Sequence, residues 1–173
     1  MAALDNQPTN VNFLAPTNFR FFIKKLPNVN FFIQKVTIPG ISLGTAFQPN
    51  PLVRIPHPGT ELNFSTLKIS FIVDEDIRNY TEIYNWLTGL GFPENSSQYK
   101  TLADQPNYTG DGVVSDVSVN ILNSAKNPNF EFVFRDAFPI EVGELNFSTT
   151  ETGIDYITAD ATFEYTLFTI NRF

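Results

Sequence analysis

Apolar and polar residues alternate along most of this chain, and a period of two argues for strands. Phe19, Phe21 and Ile23 share one face with Arg20 and Lys24 opposite; Leu26-Pro27-Asn28 reads as a turn, and Val29, Phe31 and Ile33 resume the alternation. This stretch is expected to be a β-hairpin. Phe22 and Phe32 fall on its polar face, so that face is expected to be covered too. Leu67, Ile69, Phe71 and Val73 alternate with Thr66, Lys68 and Ser70, and Val117, Val119 and Ile121 with Asp116, Ser118 and Asn120. Phe130, Phe132 and Phe134 predict another strand, and Leu145 with Phe147 a shorter one. The last segment is the most regular: Ile157, Ala159, Ala161, Phe163, Tyr165 and Leu167 face Thr158, Asp160, Thr162, Glu164 and Thr166. It reads as one strand of about 14 residues, roughly 45 Å long. A domain of this size has a radius of gyration of roughly 16 Å. So long a strand with one polar face suits a closed barrel, or a sheet continued by a neighbour.

One segment changes period. Ile77, Tyr80, Ile83, Tyr84, Leu87 and Leu90 fall three and four apart and predict a helix over about 75–90. Asp74-Glu75-Asp76 stands at its start, with Asp74 and Asp76 as capping residues, and Gly89, Gly91 and Pro93 supply the stop. Pro49, Pro51, Pro56 and Pro58 with Gly40, Gly44 and Gly59 forbid a central strand in 40–60, which is expected to be a protruding loop. Residues 92–112 form a second long polar connection, and 1–16, with Pro8 and Pro16, a terminal arm ordered by contact. The expected architecture is one mainly β domain over 1–173, sandwich-like or barrel-like, with a single helix. Glu-Leu-Asn-Phe-Ser-Thr occurs at 61–66 and again at 144–149. It marks either two equivalent strand starts or coincidence in an Asn/Ser/Thr-rich chain.

Composition mainly excludes. Across 173 residues there are 18 Phe, no Cys and one His. Disulfides, thiolate metal sites, thiol nucleophiles and two-His metal motifs are therefore absent, and no cofactor is expected. His57 lies in Ile55-Pro56-His57-Pro58-Gly59 with no nucleophile or orienting carboxylate at a suggestive spacing, so no catalytic residue is assigned. Asp160 and Glu164 sit roughly 13 Å apart along one strand, too far for a glycosidase pair on their own. No window of 18 uncharged apolar residues occurs, and no membrane partner is expected. The net charge of −7 argues against gripping phosphates. That charge is uneven: residues 1–73 hold six Lys/Arg against two Asp/Glu, and residues 74–173 hold five against sixteen. Opposite halves of this kind either attract between subunits packed head to tail or are two solvent faces of a monomer.

Three stretches resemble the tail tube proteins of contractile-tailed phages of the T4 type. They are Phe19 to Gly40, Gly59 to Leu87 with Val73-Asp74-Glu75-Asp76, and Ala137-Phe138-Pro139-Ile140-Glu141-Val142-Gly143-Glu144-Leu145. The last resembles the family's aromatic-Pro-x-x-Val-Gly-Glu-Leu turn. The resemblance implies a non-enzymatic virion subunit in a homo-hexameric ring, its strands closing into one β-barrel around a lumen. Rings would stack on copies of themselves or on related tube proteins, inside a sheath and on a baseplate. DNA would pass through during genome ejection without specific binding, and the host cytoplasm would hold the chain before assembly. On this reading Asp160, Glu164, Thr158 and Thr162 are lumen candidates, and Phe47, Arg54, His57, Asn12 and Phe13 ring-stacking candidates. A baseplate tube initiator shares the fold and stands as an alternative. From a different class, a soluble carbohydrate-binding β-sandwich would stack sugars on Trp86, Tyr99 and Tyr108.

Overall fold

The computed structural model describes residues 12–104, 112–150 and 156–173. Its strands are β1 (Phe19–Ile23), β2 (Ile33–Thr37), β3 (Ile41–Gln48), β4 (Ile55–Phe64), β5 (Leu67–Ile72), β6 (Ser115–Leu122), β7 (Pro128–Val142), β8 (Thr158–Glu164) and β9 (Leu167–Arg172). The helices are α1 (Pro27–Phe32), α2 (Arg78–Gly91) and α3 (Ser97–Ala103). The fold is mainly β as expected, but with three helices among the described residues rather than one. Seven strands form one sheet in the order β1-β6-β7-β8-β5-β2, with β9 also pairing to β7, and β3 and β4 form a separate pair.

The long strand β7 organises the molecule. Its first half, to Arg135, lies between β6 and β9, and its second half, from Phe138, pairs with β8. Asp136, between the halves, takes a left-handed φ of 55°. The sheet therefore divides into two layers, β1-β6-β7-β9 and β7-β8-β5-β2. Both contribute to one core: Phe21, Val119 and Phe134 from the first, Ile69, Phe71 and Phe163 from the second. Ile83 and Trp86 of α2 join them, with the Trp86 ring 6.2 Å from that of Phe163. Burying such side chains stabilises by roughly 1.5–3 kcal/mol each, before chain entropy is counted.

Four expectations are corrected. The first concerns the hairpin over 19–33. The β1 strand pairs with β6, β2 pairs with β5, and the intervening residues form α1. Pro27 opens that helix, its fixed φ suiting a first turn. The Asn30 side chain then bonds both the N–H and the C=O of Ile23 at 2.9 Å, holding α1 against β1. Val29 is buried while Phe31 is 83% exposed, so the strand-like alternation there was only apparent.

The second concerns the final strand. It is broken at Tyr165-Thr166 and changes layer there. Register against β7 is kept through the break, with Glu164 opposite Phe138 and Leu167 opposite Arg135. Tyr165 anchors the corner by donating its hydroxyl to Ser65 O at 2.7 Å. Burial, and then the Glu164 charge, push its pKa up to about 12.

The third concerns the loop 40–60, which is largely strand. Thr37 opposes Lys68 and Ile41 opposes Phe64, so β3–β4 continues the β2–β5 ladder beyond the body in one register. Ser65 N–H donates to Gly40 O at 3.1 Å across the junction. Proline is tolerated in β4 because this ribbon is only two strands wide. Gly59 is required there, since a Cβ would lie 2.4 Å from Gly44 O. The connection 92–112 likewise contains α3.

The fourth concerns Glu144 to Ser148, which forms no strand. The first copy of the repeated hexapeptide ends β4 and turns into β5, whereas the second lies in irregular chain. The two copies are not equivalent strand starts.

Candidate functional site

Two surfaces stand out. The first is the exposed face of the β7-β8-β5-β2 layer. The β8 alternation buries Ala159, Ala161 and Phe163 and turns Thr158, Asp160 and Glu164 to solvent. Thr162 points the same way but is buried, its hydroxyl donating to the Glu141 carboxylate at 3.4 Å. Asp160 accepts a hydrogen bond from the Ser70 hydroxyl. Ser70, Glu141, Asp160 and Thr162 line a shallow groove of about 340 Å³ with Lys35, Thr37 and Lys68, while Thr158 and Glu164 lie outside it. The lumen candidates thus lie on one face, but that face also carries two lysines and is not uniformly acidic. Among the described residues no acid or His cluster is built to hold a metal.

Gly143, within the Val-Gly-Glu-Leu segment, closes this face at one end. Its N–H donates to Asp160 O at 2.6 Å, and its carbonyl accepts from the Tyr80 hydroxyl at 3.2 Å. An added Cβ would approach Asp160 N and O to 3.2 Å, so glycine allows the end of β7 to lie tightly against β8.

The second surface is the β3–β4 ribbon. Its apolar side chains Ile41, Leu43, Phe47, Val53 and Leu62 are exposed, and Leu52 at the tip is 94% exposed. Such an apolar patch on a projecting arm is what an unassembled interface looks like. Phe47 and Arg54 are exposed on this arm, and His57 reaches Gln48 at 3.1 Å. Phe13 is 99% exposed, and Asn12 precedes it. The rest of the arm over 1–16, up to residue 11, lies outside the described residues.

The capping candidates separate. The Asp74 carboxylate accepts the Asn79 N–H at 3.2 Å, although the helix begins only at Arg78 and its N-cap position is Ile77, with φ 56°. Asp76 makes no such bond and pairs with Arg78 at 3.2 Å on the surface. Sequence reasoning missed Asn79, a fully buried amide that binds Ile72 O at 2.7 Å and Asp74 N at 3.4 Å. An Asn inside an apolar helical stripe was the available signal.

The carbohydrate reading loses its main platform. Trp86 is 2% exposed, donates Nε1–H to Val113 O at 2.8 Å, and lies 4.7 Å beneath the Lys25 ammonium. Lys25 also donates to Gly112 O, and burial lowers its pKa to about 8. Tyr99 packs edge-on against Phe92, and Tyr108 lies outside the described residues.

A layered β subunit with an exposed apolar arm and a mixed-charge sheet face offers two surfaces for contact with other chains. A model of the phage tail tube protein family matches residues 6–171. The chain therefore belongs to the phage tail tube protein family and is a structural component of a phage tail. It is 28% identical over 143 residues to the tail tube terminator protein of Enterobacteria phage T4, covering 80% of this chain and 76% of that protein. The tube terminating cap of the anti-feeding prophage has the same fold, with a TM-score of 0.67 at 16% identity over 99% of both chains. A sheath/tube terminator of the extracellular contractile injection system PVC, in its extended state, gives 0.62 at 16% identity over 94% of this chain and 99% of that one.

Proposed function

We propose that this chain is the tube terminator of a contractile tail: a homo-hexameric ring that ends the tube instead of being repeated along it. The observation that carries this is the similarity to the phage T4 tail tube terminator protein over four-fifths of the chain. The matches to a tube terminating cap and to a sheath/tube terminator support it. In this ring the β7-β8-β5-β2 layers of the subunits close into one barrel. Thr158, Asp160, Thr162 and Glu164 face a lumen through which DNA passes without specific binding. The β3–β4 ribbon, with Phe47, Arg54 and His57, makes the contact to the next ring, of tube protein, and Asn12 and Phe13 belong to that contact. The partners are tube, sheath and baseplate proteins of the same tail. The second reading, a repeated ring of the tube itself, has the family match in its favour.

Quantitative mass spectrometry of purified tails separates the two. A terminator is present at one ring per tail, far below the most abundant tube protein. Equal or greater abundance would reject the terminator reading in favour of a repeated ring.

A further inference from the structure

The exposed face of the β7-β8-β5-β2 layer has a charge polarity that runs across its strands. Residue partners define two rows. One runs from Lys35 on β2 through Ser70 on β5 to Asp160 on β8. The other runs from Thr37 through Lys68 and Thr162 to Glu141 on β7. In both rows the cation lies toward β2 and the carboxylate toward β7, and Glu164, farther along β8, adds to the acidic side. Among the described residues these groups form no ion pair with one another; the pair found there is Arg78–Asp76.

Both flanks are free edges. Among the described residues, β2 pairs only with β5, and Phe138–Val142 pairs only with β8. The acidic edge is a poor template for a continuous backbone ladder, because Pro139 lacks an N–H and the register shifts between Pro139 and Glu141. Side chains must therefore set the fit. Opposite charge on opposite edges of one face is self-complementary head to tail, the arrangement that closes rings rather than two-fold dimers.

From this polarity we infer that the occupant of the β2 edge is the Glu141 edge of a second copy, with Lys35 of one subunit beside Glu141 of the next. The inference rests on the ring reading above and adds which edges meet and in what order. Each pair is a solvent-accessible contact of modest strength, so its effect is chiefly on orientation and register.

Because the chain has no Cys, a Lys35→Cys/Glu141→Cys variant carries a unique reactive pair. A short bismaleimide, applied to purified protein and to assembled tails, should give a ladder of covalent multimers. Lys35→Cys or Glu141→Cys alone should stay monomeric. Lys35→Glu should cut ring yield by about tenfold or more, and Lys35→Glu/Glu141→Lys should restore it. Circular dichroism confirms that each variant is folded. Rings seen by electron microscopy without a ladder would overturn the edge assignment and leave the ring reading standing. Absence of rings from both preparations would overturn both.

Discussion

Asn79→Leu is the substitution that best probes how α2 is fixed to the sheet. The side chain has no exposure, and its amide donates to Ile72 O at 2.7 Å and accepts from Asp74 N at 3.4 Å. Leucine keeps the branched shape but is bulkier, so no cavity opens; the loss is one of hydrogen bonding, with overpacking by the two methyl groups adding to it. Three part-buried backbone groups, the Ile72 carbonyl and the N–H groups of Asp74 and Tyr80, the latter 2.8 Å from the Asn79 oxygen, lose their partner. The two shorter bonds set most of the cost, because a desolvated polar group left unpaired costs about 1–3 kcal/mol. The longer one adds less, giving about 2–4 kcal/mol in total. In a domain of this length each kcal/mol lowers Tm by about 2–4 °C. Thermal unfolding followed at 222 nm should therefore drop by about 5–15 °C, a large share of a typical stability. Asn146→Leu, at an exposed position in irregular chain, is the control and should shift Tm by under about 2 °C. An Asn79→Leu midpoint equal to that of the control would refute the reasoning, since the clamp between β5 and α2 would then carry no weight.

Further outcomes follow from other sites. Gly59→Ala forces a Cβ against Gly44 O and should make the ribbon protease-sensitive while costing about 1–3 kcal/mol; an intact ribbon under limited proteolysis would contradict this. Leu52→Ser with Val53→Ser should leave Tm within about 2 °C, because both are exposed, yet abolish contact with a tube ring in co-sedimentation. Burial depresses the Lys25 pKa from 10.5 to about 8. Between those values the unfolded chain holds a proton that the folded chain does not, so this contribution to stability grows as pH rises from about 8 to 10.5 and is lost as pH falls through 8. Denaturant titrations of Lys25→Met should lack that component, and an unchanged pH profile would count against it. Asp160→Lys with Glu164→Lys should slow DNA ejection, whereas unchanged kinetics would remove these residues from the lumen.

Much of the β architecture was legible because burial imposes the period directly. Val117, Val119 and Phe134 are buried, as their alternation required. What the sequence hid was pairing. Val29, Phe31 and Ile33 alternate, but Pro27 and the Asn30 bridge to Ile23 turn them into a helix and send β1 and β2 to different partners. Proline content marked 40–60 as unfit for a central strand, yet a free two-stranded ribbon accepts proline, and only the register linking Thr37 to Ile41 reveals the continuation. Asp160, Glu164, Thr158 and Thr162 alternate along one strand, so their common face is visible in the sequence. Lys35 and Lys68 come from strands distant in sequence, and only the fold places them on the same face. That Trp86 serves the core rather than a ligand was equally invisible, because an aromatic on an amphipathic helix suits either role.

The central claim is that this chain ends a tube. Cryo-electron microscopy of tails carrying a gold-labelled copy tests it most directly. The account predicts label confined to one ring at a single end of the tube, with a six-fold map into which the subunit fits with Lys35 beside Glu141 of its neighbour. Label repeated along the length of the tube would contradict it.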